Sequence, residues 1–128
     1  MQVNDELDPI CGQGAARARE VLDLVSDKWS LYVVAALGQG PLRFSQARRV
    51  VVGISQRMLT VTLRRLARDG LVTRTVTPTV PPQVTYALTE TGHSLRLAVQ
   101  PLISWAFTTV DDIDAARAAY DAQVEEQA

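Results

Sequence analysis

At 128 residues and 47% hydrophobic content, the chain is sized for one domain with a modest core and is too apolar to stay disordered. Its formal net charge of −1 would speak against a nucleic-acid ligand only if charge were spread evenly along it. A single cysteine, Cys11, excludes an intrachain disulfide and a cysteine-ligated zinc, and the longest apolar run, 31–37, is too short to cross a bilayer.

The acidic start, MQVNDELDPI, lacks the basic n-region of an export signal, so a cytoplasmic protein with no membrane partner is expected. Pro9, Gly12 and Gly14 keep the first 14 residues irregular. Val21, Leu22, Leu24 and Val25 predict an amphipathic helix over 15–25. Asp27 is placed to cap a second helix with Trp29, Val33, Ala36 and Leu37 on one side, stopped by Gly38 and Gly40. A short third helix is expected over 43–51 with Phe44 and Ala47 inward, then a tight turn in which Gly53 takes positive φ. Ser55 caps a fourth helix that runs to about Asp69, where Gly70 ends it.

The stretch 71–77 alternates and is rich in Val and Thr, which reads as a strand; Pro78, Pro81 and Pro82 stiffen a loop; 84–88 reads as the returning strand. A long helix opens near Thr89 and should kink around Gln100 because of Pro101. A separate acidic helix is expected over 111–126, with Ile113, Ala116, Tyr120 and Val124 at helical spacing. Two helices joined by a short turn and followed by a β-hairpin make a winged helix-turn-helix, a mainly α fold with a small β-hairpin.

Charge is the second signal. Residues 43–74 hold eight arginines against one acid, Asp69, a local charge of +7. The flanking stretches 1–42 and 111–128 carry −3 and −5. A cationic block inside an acidic chain is an interaction surface. On the fourth helix Leu59, Leu63 and Leu66 form a core stripe; Arg57, Val61, Arg64 and Arg68 lie opposite, flanked by Thr60 and Arg65. A solvated face would normally mix signs; this one repels itself unless an anion is met.

In helix-turn-helix docking the N-terminal end of such a helix, here Ser55, Gln56, Arg57 and Thr60, enters the major groove of DNA. Arg57 suits guanine O6 and N7, Gln56 suits adenine N6 and N7, and Val61 suits a thymine methyl. Arg64, Arg65 and Arg68 are expected at phosphates, with Arg48 and Arg49, and with Arg43 and Ser45 beside them, adding contacts from the third helix. Thr77, Thr79 and Gln83 on an uncharged wing would lie along the minor groove. Other readings remain at this stage: a plainly solvated arginine face, or a module whose arginines meet an acidic protein. No paired catalytic carboxylates, Ser–His–Asp arrangement or P-loop glycines support an enzyme, and His93, without a second histidine, does not make a metal site. No cofactor is expected.

The segments DKWSLYVVAAL (27–37), LRFSQ (42–46), GISQRMLTVTLRRLARDGLVTRT (53–75) and VPPQVTYALTETG (80–92), with Trp105 trailing, resemble the HxlR-type winged-helix regulators, a bacterial group related in fold to MarR-type regulators. They cover about two thirds of the chain in order. Where that family often carries charged residues around the second wing strand, this chain has Gln83 and Thr85. The resemblance implies a homodimeric transcription factor, more often a repressor, acting on a palindromic operator. In that reading 27–92 is the DNA-binding core of a single domain spanning 1–128. Residues 10–26 and 93–126 would then dimerise, using apolar positions such as Val99, Leu102, Ile103 and Trp105.

The resemblance also implies a redox or electrophile-sensing role for Cys11, although family cysteines here are often followed by proline and this one precedes Gly12. A thiolate at Cys11 would be favoured by the nearby helix N-terminus and by Arg17 or Arg19. An idle thiol is the competing reading. A small-molecule effector is the rival signal, with Trp29, Tyr32 and Trp105 as candidate lining for an apolar site.

Overall fold

The computed structural model describes residues 15–127, which belong to two compact units, one ending at Arg96 and one beginning at Leu97. The elements in order are α1 (Ala16–Val25), α2 (Lys28–Leu37), β1 (Leu42–Arg43), α3 (Phe44–Val50), α4 (Gln56–Arg68), β2 (Val72–Thr77), β3 (Gln83–Leu88) and α5 (Glu90–Gln127). The expected helix-turn-helix and hairpin are present.

The core of the first unit is assembled from three helices and the base of the sheet. Val33, Val34 and Leu37 of α2, Ala47 of α3, and Leu59, Leu63 and Leu66 of α4 are all essentially inaccessible. Leu71 and Val72 close the core from β2, and Phe44, Tyr86 and Leu88 pack on it half-buried. Each buried leucine contributes about 1.5–3 kcal/mol of apolar transfer, so the stripe read on α4 is what ties that helix to the body.

Local chemistry sets the ends of the helices. Asp27 caps α2 through Oδ1, which accepts the Ser30 N–H at 2.9 Å. Ser55 Oγ accepts the Met58 N–H at 3.0 Å and caps α4. At the other end of α4, Gly70 takes φ +76°. There the Leu71 N–H reaches Leu66 O at 2.9 Å and the Gly70 N–H reaches Ala67 O at 3.1 Å, a Schellman closure that only a residue tolerant of left-handed φ makes without strain. Gly53 has φ +89° in the turn between α3 and α4, as its position required. Thr89 caps α5: its Oγ1 accepts the Gly92 N–H at 3.0 Å while donating to Gly70 O at 2.6 Å.

Two expectations are corrected. The sheet has three strands, not two, in the order β1-β3-β2, and all pairs are antiparallel. Leu42 pairs with Tyr86 and Arg43 with Thr85, so the segment before α3 is drawn onto the hairpin. A two-residue strand has no periodicity to read; only its partner reveals it. The second correction concerns the C-terminal region. One helix runs from Glu90 to Gln127 through Pro101, where a separate helix had been expected from 111. Pro101 removes one helical hydrogen bond, and no glycine or proline follows it before the end of the helix. Nothing in Asp111 and Asp112 breaks a helix already propagating.

In the second unit every residue of 111–127 is exposed, and Leu97, Leu102, Trp105, Phe107 and Tyr120 lie open to solvent. On α1 only Val25 is buried; Val21, Leu22 and Leu24 are exposed. No helix among the described residues is long and apolar enough to cross a membrane.

Candidate nucleic-acid interface

The site is built on α3, the turn after it, and α4. The leucine stripe of α4 faces the core, so the residues opposite it face out: Arg57, Val61, Arg64 and Arg68 are all exposed. Arg48 and Arg49, in the last turn of α3, are exposed as well. Of the eight arginines in 43–74, only Arg65 has a salt bridge to a carboxylate among the described residues. The other seven are exposed and form no salt bridge to a carboxylate among the described residues.

Between α3 and the start of α4 the surface is concave, and Phe44, Ser45, Arg48, Arg49 and Gln56 line this hollow. Two guanidinium groups, a hydroxyl and a carboxamide at the mouth of a hollow beside an apolar ring match the needs of a sugar–phosphate backbone. At the start of α3, the Gln46 side chain accepts the Arg43 N–H at 2.9 Å, which fixes the entry to that helix.

Several expected contact residues already have internal roles. The Ser55 hydroxyl oxygen is engaged as a helix cap, though the residue remains exposed. Thr60 is half-buried and its hydroxyl donates to Gln56 O at 2.9 Å. On the wing Thr77, Thr79 and Gln83 are exposed; the Thr79 hydroxyl donates to Pro81 O at 2.8 Å and so shapes the tip. Val80 is fully exposed there.

Arg65, expected at a phosphate, has an internal partner. Its Nη2 donates to Asp27 Oδ2 at 3.2 Å, bridging α4 to the cap of α2. The same Oδ2 accepts the Ser30 hydroxyl at 2.7 Å. Burial alone would raise the Asp27 pKa, but the Ser30 hydroxyl, the Ser30 N–H, Arg65 and the Trp29 N–H outweigh it and hold the carboxyl below its ordinary value of 3.8. Sequence reasoning saw Asp27 only as a cap, because 38 residues separate it from Arg65. Thr62 was missed for a similar reason: it sits in the leucine stripe, fully buried, with its hydroxyl unpartnered among the described residues.

The candidate sensing residues fall on different parts of the chain. Trp29 and Tyr32 meet edge to face with ring centroids 5.8 Å apart, and Lys28 Nζ lies 4.8 Å from the Trp29 ring. Trp29 is half-buried against the core; Tyr32 is exposed. Trp105 belongs to the second unit and is exposed. Cys11 lies outside the described residues.

A turn-linked helix pair, a three-stranded wing and a one-sign cationic helix face define a winged helix-turn-helix of the DNA-binding kind. The HxlR-like helix-turn-helix family model matches residues 24–114, and the chain belongs to that family. It is similar to the HTH-type transcriptional regulator YtfH of Escherichia coli, with 37% identity over 78% of this chain and 79% of YtfH. Among solved structures, the redox regulator HypR in its reduced form has a TM-score of 0.71 at 36% identity, covering 78% of this chain and 99% of HypR. The diamide-treated YodB of B. subtilis has a TM-score of 0.64 at 31% identity, covering 73% of this chain and 92% of YodB. The chain is therefore a helix-turn-helix transcriptional regulator, and these relatives are regulators rather than enzymes.

Proposed function

We propose that the protein is a homodimeric repressor that seats α4 of each protomer in the major groove of a palindromic operator. The observation that carries this reading is the outward arginine set on α3 and α4, which has one sign and, among the described residues, a carboxylate partner only at Arg65. Arg57, Gln56 and Val61 read base edges; Arg64, Arg68, Arg48 and Arg49 hold phosphates, with Arg43 and Ser45 beside the same strand. Ser55 and Thr60 support the N-terminal end of α4 from within. Thr77, Thr79 and Gln83 follow the minor groove without adding charge.

Two protomers would put their α4 helices roughly 34 Å apart, one turn of duplex. The exposed apolar residues of α1 and of the second unit, Val21, Leu22, Leu102 and Trp105 among them, are the surfaces that pairing would cover. Control falls to Cys11 or to a small-molecule effector, for which the Trp29–Tyr32 pair of the first unit is the candidate contact. Relatives named as a redox regulator and as diamide-treated favour the thiol.

Binding to a duplex from the gene's own upstream region, followed by fluorescence anisotropy across salt, tests the assignment. Each phosphate contact weakens affinity about 3.5-fold between roughly 50 and 200 mM salt. Arg64→Ala should therefore flatten the salt slope by about 0.9 per half-site. Binding that ignores salt, or an Arg64→Ala slope equal to wild type, would count against DNA as the ligand.

A further inference from the structure

We propose that Asp27 is a positioning residue for DNA recognition: it clamps α4 to the start of α2 through Arg65 and withholds Arg65 from the phosphate contacts. This rests on the DNA-binding reading above. The geometry is specific. One carboxylate caps α2 by accepting the Ser30 N–H at 2.9 Å, accepts the buried Ser30 hydroxyl at 2.7 Å, and accepts Arg65 Nη2 at 3.2 Å. Arg65 Nε is buried, with no hydrogen-bond partner among the described residues. The Arg65 head is therefore turned toward α2, while its neighbour Arg64, about 100° further round the helix by its 3.6-residue period, stays exposed.

The leucines of α4 decide which side of that helix is buried, but the hydrophobic effect is non-directional and leaves the fine angle of its roll to other contacts. A charge-assisted hydrogen bond is directional and acts at one point on the circumference. The pair is only about 40% and 37% exposed at its two side chains, so it is too wet to be a large source of global stability. Its consequence is placement: within the face that the leucine stripe turns outward, it trims the angle of α4, and in a dimer any error in that angle is made twice. It also leaves Arg57, Arg64 and Arg68 as the cations on the outer face of α4 that have no salt bridge among the described residues.

Asp27→Asn tests this cleanly, because asparagine caps helices as well as aspartate does and the fold is kept. Arg65→Gln removes the other partner. Operator and random duplexes are titrated with wild type, Asp27→Asn, Arg65→Gln, the double variant and Arg64→Ala across salt, with circular dichroism to verify folding. The clamp requires both single variants to lose discrimination between operator and random DNA severalfold, and the double variant to be no worse than either single. Arg65→Gln must leave the salt slope at the wild-type value, while Arg64→Ala lowers it. A slope for Arg65→Gln that falls as for Arg64→Ala would make Arg65 an ordinary phosphate contact and overturn the proposal. Unchanged discrimination in both single variants, or additive losses in the double, would overturn it too. Wild-type binding without salt dependence would instead remove the DNA reading beneath it.

Discussion

Gly92 offers the sharpest test of how the wing is joined to the long helix. A Cβ placed there would collide with the Leu71 carbonyl oxygen and stand 3.1 Å from both the Leu71 carbonyl carbon and Leu88 Cδ2. The Leu71 oxygen cannot swing aside, since it accepts the Thr89 N–H at 3.1 Å and its residue closes the end of α4. Gly92→Ala must therefore push the first turn of α5 away from β2 and β3. Overpacking of this kind costs about 1–3 kcal/mol, and loss of the Thr89–Leu71 bond adds about 1 kcal/mol. Better helix propensity returns up to about 1 kcal/mol. The net is a destabilisation of about 1–3 kcal/mol, or roughly 4–12 °C in Tm at about 4 °C per kcal/mol for a chain of this length.

Gly38→Ala is the internal control. There φ is −62°, and the added Cβ would meet the half-buried Arg96 side chain with Ala35 O at 3.1 Å; shifting a side chain costs less than shifting backbone, so the loss should be smaller than at Gly92. Thermal and urea unfolding by circular dichroism, at one protein concentration because a dimer's Tm depends on it, reads both. If Gly92→Ala were as stable as wild type, or no worse than Gly38→Ala, the close approach of α5 to Leu71 would be wrong.

Two further outcomes concern proton and redox chemistry. Because the folded Asp27 carboxyl titrates below 3.8, the unfolded chain binds more protons in that window, and the ionised group contributes its full stability only above about pH 5. The stability gap between wild type and Asp27→Asn should shrink as pH falls through the folded value; a gap independent of pH between about 3 and 6 would mean that Arg65 and Ser30 do not favour the carboxylate. For Cys11, diamide should weaken operator binding by the wild-type protein and leave Cys11→Ser unaffected, measured by anisotropy; an identical response in both would remove the thiol from control.

Much of the architecture follows from short-range rules that a linear sequence expresses directly. Ser55, Asp27 and Thr89 cap because their oxygens reach N–H groups three residues further on. Gly53 and Gly70 mark turns because only glycine takes those φ values cheaply. Leu59, Leu63 and Leu66 announce the buried side of α4 by period, and the exposed arginines follow as its complement. What chain order hides is contact between distant residues. Leu42 and Arg43 become a strand only through β3, Arg65 leaves the cationic face only because Asp27 waits for it, and Gly92 matters only because Leu71 lies against it. Those three joints arise from packing, where directionless apolar burial brings elements together and a few oriented polar contacts then decide their register.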